Sequence, residues 1–189
     1  RQESVKEEVV VTSPAGGKLA VDLKPVDGKF YGMFWFDEHD NDMSDMPALS
    51  EDEDSMLINT VRIKIARSED SFYHAYLLKF ARANNAPQAE ANAEKISFPI
   101  TQRDSVLYLP KGFAISKVTK FRNQQVLVVI EVPVGKQIRI DNSTEFFSWF
   151  NVNTRRGRGV NLDWDNNWWD NDYSWRTDVW YTMSASGLE

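Results

Sequence analysis

The chain has 189 residues, of which 42% are hydrophobic and 26% charged, and it carries a net charge of −6 with a pI of about 5.0. This length suits one domain with a buried core, and the negative charge disfavours nucleic acid and anionic membrane surfaces, which both need clustered Lys and Arg. The absence of cysteine excludes disulfides, thiolate metal ligands and a cysteine nucleophile.

Strand signals dominate the chain from its N-terminal part onwards. The stretch "KLAVDLKP" alternates, with Leu19, Val21 and Leu23 on one face and Lys18, Asp22 and Lys24 on the other. The next stretch, "TVRIKIAR", repeats the pattern, and we expect "SFYHAYLLKF" to be its hairpin partner through "SEDS" at 68–71.

Further strands are predicted for "KISFPI", "SVLYL", "QVLVVIEV" and "KQIRID". Residues 126–130 are apolar on both faces, which favours a central position in a sheet. The longest apolar run, 126–134, is far shorter than the ~20 residues of a membrane span. Because the chain opens at Arg1, we expect a fragment or processed form, from which targeting or membrane segments could have been removed.

One helix is predicted over about 86–96, with Asn85 as its cap and Pro87 in its first turn. Its polar composition places it outside the core, as a crossing between two strands. The predicted fold class is therefore mainly β, with strands in a sandwich, barrel or β-solenoid arrangement and one short helix.

Two segments depart from the strand pattern within the single β-rich domain that we predict for 1–189. Residues 37–54 contain nine acidic residues and no Lys or Arg, which predicts a solvated acidic loop. Residues 155–172 form a predicted flexible segment rich in Arg, Trp and Asp that begins with "RRGRG". Pairing between the basic and acidic segments is possible but weak, because exposed ion pairs contribute only ~0–1 kcal/mol.

The stretch 163–181 holds five of the seven tryptophans and five aspartates. Its second half, "YSWRTDVWY", alternates and predicts a final strand, in which Trp175 and Trp180 are more typical of packing than of sugar binding. Its first half predicts a loop, where packing and sugar binding are equally compatible with the tryptophans. The candidate interaction surface comprises Trp164, Trp168, Trp169 and Asp170.

The sequence offers no constellation that is typical of catalysis, a cofactor or a metal. An EF-type calcium loop starting at Asp163 fails because Trp168 and Ser174 stand where Gly and Glu are needed. A loop starting at Asp40 has Asp45 in place of Gly, so calcium binding there is a minor alternative. His74 is more typical of a hydrogen-bonded sheet histidine than of a ligand or a Ser–His–Asp base.

Several stretches together resemble the C-terminal toast-rack domain of PspC-type (phage-shock) envelope proteins. The resemblance covers about 61–143 and the last ten residues, and is closest in "KFARANN…AEANAEKISF" and "VPVGKQIRIDNS". It implies strands stacked like slats, a membrane anchor that this chain lacks, no enzymatic activity, and a role in envelope-stress sensing or scaffolding. The family brings no catalytic residue to carry over.

These observations predict a non-enzymatic interaction or sensor domain with envelope proteins as partners. The expected location is the cell envelope, on the periplasmic or extracytoplasmic side, with the cytoplasmic side left open. The alternative is a carbohydrate-binding or adhesin-like module that binds glycans through the Trp/Asp-rich tail. A hydrolase with dispersed carboxylates, about 5–10 Å apart, is a third and less favoured hypothesis.

Overall fold

A computed structural model describes residues 1–24, 30–31, 55–58, 61–110, 112–116, 122–141, 150–151 and 176–189. The predicted acidic loop at 37–54 and the predicted flexible segment at 155–172 lie outside the described residues. Within the described ranges the chain forms one helix, α1 (Ala86–Glu94), and fourteen strands. The strands are β1 (Gln2–Val9), β2 (Lys18–Lys24), β3 (Phe30–Tyr31), β4 (Ser55–Ile58), β5 (Val61–Arg67), β6 (His74–Arg82), β7 (Thr101–Arg103), β8 (Val106–Pro110), β9 (Phe113–Ser116), β10 (Gln125–Val132), β11 (Gln137–Ile140), β12 (Phe150–Asn151), β13 (Tyr181–Ser184) and β14 (Gly187–Leu188).

These strands form three sheets, which confirms the prediction of a mainly β fold with one short helix. The five-stranded sheet has the order β1-β6-β10-β5-β12, and the six-stranded sheet has the order β14-β13-β11-β2-β8-β7. The strands β3, β4 and β9 make a small third sheet. Both larger sheets mix parallel and antiparallel pairs.

One core joins the sheets, because alternate residues of their strands point to the same apolar layer. The predicted alternation in β2 is confirmed, since Leu19, Val21 and Leu23 are buried while Lys18 and Lys24 are exposed. From the five-stranded sheet, β5, β6 and β10 contribute to the same cluster. Its largest fully buried side chains are Leu19, Ile58, Ile63, Ile65, Leu107, Leu109, Phe113, Ile130, Ile138 and Ile140.

The strand β10 lies in the middle of the five-stranded sheet, as its apolar sequence predicts. Its two faces contribute to different clusters: Val128 and Ile130 face the shared core, while Leu127 and Val129 are buried on the opposite face beside Leu78 of β6. A strand that is apolar on both sides is stabilised only where both of its faces are covered.

The predicted hairpin between β5 and β6 is wrong, because β10 lies between them. It is parallel to β5 and antiparallel to β6. The connection passes over the end of β10, where the Ser68 amide donates to the Val132 carbonyl at 2.9 Å. The doubly apolar strand takes the central position, and the two alternating strands flank it.

The helix α1 begins at the predicted cap: the Asn85 Oδ1 atom accepts a hydrogen bond from the Gln88 amide at 2.9 Å. It ends at Glu94, two residues before the predicted end, and it packs on β1 and β6. The predicted strand "KISFPI" is wrong, because 96–100 has no regular structure. Its Ile96 and Phe98 are nevertheless buried in the shared core, which explains the strand-like pattern.

The connection from β1 to β2 closes one end of the sandwich through side-chain hydrogen bonds. The Gln102 side chain pairs with the backbone of Thr12, accepting from its amide at 2.8 Å and donating to its carbonyl at 2.7 Å. Buried Tyr73 donates its hydroxyl to the carbonyls of Gln137, at 2.7 Å, and Gly17, at 3.0 Å. Tyr73 therefore ties the segment before β6 to the first residue of β11 and to the residue that precedes β2.

Candidate interaction surface

The side of the six-stranded sheet that faces away from the core is polar, and we call it the polar face. Direct partners in neighbouring strands lie on the same face of a sheet. The face is therefore defined by the side chains of β2 that point away from the core and, strand by strand, by their direct partners in the neighbouring strands. It consists of Lys18, Ala20, Asp22 and Lys24 of β2, Gln137 and Arg139 of β11, Val106 and Tyr108 of β8, Thr101 and Arg103 of β7, and Thr182 of β13.

Trp180 packs on this face against two cations. The Arg139 guanidinium lies 4.7 Å from the centre of its ring and the Lys18 ammonium lies 5.4 Å away. Both distances are within the ~6 Å at which a cation is attracted to an aromatic ring. Trp180 is partly buried, so the contact leaves part of the indole accessible to solvent.

A turn before β13 delivers Trp180 to this position. The Asp178 amide donates to the Ile140 carbonyl at 2.8 Å, and Asp178 adopts a positive φ of 61°, a conformation that Asp tolerates better than most residues. The predicted strand over 173–181 is therefore wrong for 176–180, since β13 begins only at Tyr181. The packing role predicted for Trp180 is consistent with its two cation contacts.

Asp22 on the polar face and Asp141 at its edge are each held by a neighbouring group. Arg139 Nε donates to Asp141, which directly follows β11, at 2.5 Å. The Oδ1 atom of Asp22 accepts from the Leu23 amide at 2.7 Å. Both carboxylates are only partly exposed.

The charges on the polar face that reach furthest into solvent are cationic: Lys18, Lys24 and Arg103 are exposed. Three exposed acidic residues lie at its margins: Asp104 and Asp178 in turns, and Glu189, whose backbone pairs with that of Thr182. In the middle, Ala20 is only 3% exposed and its direct partners are Arg139 and Val106. The centre of the face is therefore covered, and the exposed cations lie around it.

A second polar cluster surrounds His74 at the start of β6. The imidazole Nε2 lies 2.8 Å from both carboxylate oxygens of Asp70, which also accepts from the Phe72 amide. The Phe72 N–H and the His74 ring together lower the pKa of Asp70. Across the sheet, burial raises the pKa of Glu131, the direct partner of His74. The hydrogen bonds between Asp70 and His74, the first residue of β6, confirm the prediction of a hydrogen-bonded sheet histidine.

The cluster is not arranged for nucleophilic catalysis. The Ser68 hydroxyl donates to Asp70 at 3.1 Å, whereas a Ser–His–Asp site needs the hydroxyl bonded to the imidazole. Among the residues that the structure describes, no group of three or more His, Cys, Asp or Glu side chains is placed to hold a metal ion. The described part of the chain also holds no helix of the length and apolarity that a membrane span requires.

The residues that the sequence singles out for ligand binding fall in another part of the chain. Trp164, Trp168, Trp169 and Asp170 lie outside the described residues, so the surface predicted from them stays a prediction. The polar face is the surface that sequence reasoning missed. Its strand alternation was visible in "KLAVDLKP" and "KQIRID", but the adjacency of these strands depends on long-range pairing that the pattern does not encode.

Comparison with known proteins gives one family match. The profile of the toast-rack domain found in some PspC proteins matches residues 49–173, about two thirds of the chain. Comparison with curated proteins gives no match. Among solved structures, the chain aligns with a crystal structure from Clostridium sporogenes, described provisionally as a cell adhesion protein, at 10% identity and a TM-score of 0.26. That alignment covers 80% of this chain and 48% of the other, so the chain spans about half the length of that protein.

Proposed function

The chain belongs to the toast-rack domains found in some PspC proteins, and from this premise we propose that it is a non-enzymatic interaction domain of a membrane-anchored envelope protein. In this proposal the domain lies on the extracytoplasmic side and takes part in envelope-stress sensing by binding another envelope protein. The anchor belongs to parts of the protein beyond these residues.

Family membership is the observation that carries the proposal. A domain that occurs in PspC proteins is associated with membrane-anchored proteins. A sandwich whose two larger sheets share one apolar core gives a rigid support for a binding surface. On such a support, partner specificity resides in the side chains that point away from the core.

The polar face is the described surface that best fits this role. It combines an aromatic ring, Arg and Lys side chains and partly exposed polar groups on regular strands, where side-chain positions are fixed by the backbone. Trp, Tyr and Arg are also enriched among the residues that contribute most to affinity in protein interfaces.

Proximity labelling of the full-length protein in its own cells tests the proposal. The labelling enzyme is fused next to this domain, and a matched fusion that keeps the anchor but lacks residues 1–189 serves as the control. We expect at least one envelope protein to be labelled by the first fusion well above the second. Equal labelling by the two fusions would contradict an interaction role for the domain.

A carbohydrate-binding or adhesin-like function is the second candidate. The observation that favours it is the density of tryptophan and aspartate in 163–172, since Trp rings stack on sugars and carboxylates accept hydrogen bonds from hydroxyls. Binding on a glycan array that is lost in a Trp168→Ala, Trp169→Ala double variant would support it. Binding that survives the double substitution would count against it.

A further inference from the structure

We propose that the polar face binds an extended acidic segment of a protein partner, with Lys18, Lys24 and Arg103 as the charges that recognise it. This rests on the proposed interaction function and adds the surface and the chemistry of the partner. The starting observation is an asymmetry of charge. The chain carries a net charge of −6, yet the exposed charged side chains that β2 and β7 place on the polar face are cations, while exposed Glu189 lies at the far edge of the sheet beside Thr182.

The asymmetry arises from hydrogen bonding within the face. Asp141 is bound by Arg139, and Asp22 accepts from a backbone amide. Arg139 offsets the negative charge of Asp141, while the exposed Lys18, Lys24 and Arg103 keep much of their charge available to solvent. An anionic partner would therefore meet favourable potential here, and such complementarity sets specificity and association rate.

The spacing of the cations suits an extended chain. Lys18 and Lys24 lie at the two ends of β2, six residues apart, which corresponds to about 20 Å at ~3.3 Å per residue. Arg103 lies two strands away from β2, at about 10 Å given the ~4.8 Å spacing of strands. A strand-like segment of about seven residues spans the distance between the two lysines, and a side chain leaning across β8 reaches Arg103.

The state of Trp180 favours a peptide over a sugar. A stacked sugar needs the face of an aromatic ring, but Arg139 and Lys18 already approach this ring as cation–π partners. Displacing them would cost those contacts. A carboxylate can instead approach Lys18 from solvent while its contact with Trp180 stays in place.

The strands that flank β2 offer hydrogen-bonding groups to the same occupant. Tyr108 and Gln137, partly exposed on the flanking strands, add one hydroxyl and one amide as hydrogen-bonding groups.

Fluorescence anisotropy with a labelled eleven-residue peptide of alternating Glu and Ser tests the proposal on the intact chain. We expect binding at low salt that weakens as ionic strength rises, because exposed charges are screened over ~8–10 Å at 0.10–0.15 M salt. The Lys24→Glu, Arg103→Glu variant should bind about tenfold more weakly, as expected for two surface charge reversals.

The matched control is the Lys95→Glu, Arg122→Glu variant, which changes the net charge by the same amount at exposed positions outside the polar face. We expect its affinity to stay within twofold of the wild type. Equal weakening by both variants would show attraction without a site and overturn the proposal. Circular dichroism and thermal melts of all three proteins establish that each is folded.

Two further outcomes would also overturn the proposal. One is no binding of the peptide at low salt. The other is tighter binding of polygalacturonate, an acidic sugar polymer, than of the peptide at equal charge, which would assign the face to glycans. If proximity labelling finds an envelope partner that the Lys24→Glu, Arg103→Glu variant still labels fully, this inference fails while the proposed interaction function stands.

Discussion

The buried hydroxyl of Tyr73 provides a quantitative test of how the two main sheets are held together. Tyr73 is 3% exposed and its hydroxyl donates to the carbonyls of Gln137, at 2.7 Å, and Gly17, at 3.0 Å. We predict that Tyr73→Phe, which keeps the ring and removes only the hydroxyl, lowers the free energy of unfolding at pH 7. The substitution therefore tests the hydrogen bonds separately from the packing.

The expected loss is about 1–2 kcal/mol, because one buried hydrogen bond has a net value of ~0.5–1.5 kcal/mol and its acceptor loses part of its bonding. The loss stays below the full cost of an unsatisfied carbonyl, since the Gly17 oxygen also accepts from the Gln137 amide at 2.9 Å. For a domain of this size, 1–2 kcal/mol corresponds to a fall in Tm of roughly 2–8 °C.

Alkaline pH should reverse the order of stability. Burial raises the pKa of Tyr73 from 10.0 to about 12, so the folded state holds this proton more tightly than the unfolded state. The associated stability is fully present below pH 10 and is lost between pH 10 and pH 12. Two pKa units correspond to about 2.7 kcal/mol, and Tyr73→Phe has no such loss.

Urea unfolding at pH 7, 9, 10.5 and 11.5, followed by far-ultraviolet circular dichroism, measures both effects. The stability advantage of the wild type should be 1–2 kcal/mol at pH 7, should shrink above pH 10, and should be absent or reversed at pH 11.5. Tyr108→Phe, a partly exposed position on the polar face, is the matched control and should change stability by less than ~0.5 kcal/mol. A difference between wild type and Tyr73→Phe that stays constant from pH 7 to pH 11.5 would refute the reasoning.

Three other predictions concern an ion pair, a helix cap and calcium. Lys79 is 6% exposed and pairs with the half-exposed Glu7. Glu7→Gln leaves the buried ammonium unpaired, so urea titrations should show a loss of ~1–3 kcal/mol, larger than the loss in Lys79→Met. The reverse order would contradict the assigned burial of Lys79. Asn85→Ala should cost ~1 kcal/mol by removing the acceptor for the Gln88 amide, whereas Asn85→Ser should stay near wild type; equal losses would argue against a capping role. Because the loops that start at Asp40 and Asp163 both lack the Gly that an EF-type site needs, the Tm should be the same with millimolar calcium as with a chelator, and a rise of several degrees with calcium would identify a site.

The parts of the fold that depend on local sequence were predictable. The alternation in β2 and the apolar faces of β10 follow directly from side-chain direction along a strand, and both predictions are confirmed. The cap at Asn85 is equally local, because its acceptor and donor are three residues apart. In each case the residues that decide the structure are close together in the chain.

The failures have a common physical origin in long-range contacts. The segment 96–100 reads as a strand because Ile96 and Phe98 are buried, yet burial there is imposed by the shared core rather than by sheet pairing. The order of β5, β10 and β6 also depends on β10, which is about 60 residues downstream of β5. Local periodicity carries no information on which strand occupies the centre.

The candidate surface illustrates the same limit. Lys18, Arg139 and Trp180 come from three distant parts of the chain and meet only because β11 pairs with both β2 and β13. Sequence reasoning instead singled out residues that are adjacent in the chain, namely Trp164, Trp168, Trp169 and Asp170. Whether those residues bind a ligand stays a prediction, and the glycan experiment above addresses it.

Site-specific photo-crosslinking in living cells tests the central claim most directly. A photoreactive amino acid replaces Thr101, an exposed residue of the polar face, in the full-length protein, and Glu90, an exposed residue of α1, is the matched control position. The account predicts that light traps a discrete envelope protein from position 101 and that the yield falls when Lys24→Glu and Arg103→Glu are added. A crosslink of equal yield from position 90, or none from position 101, would contradict it.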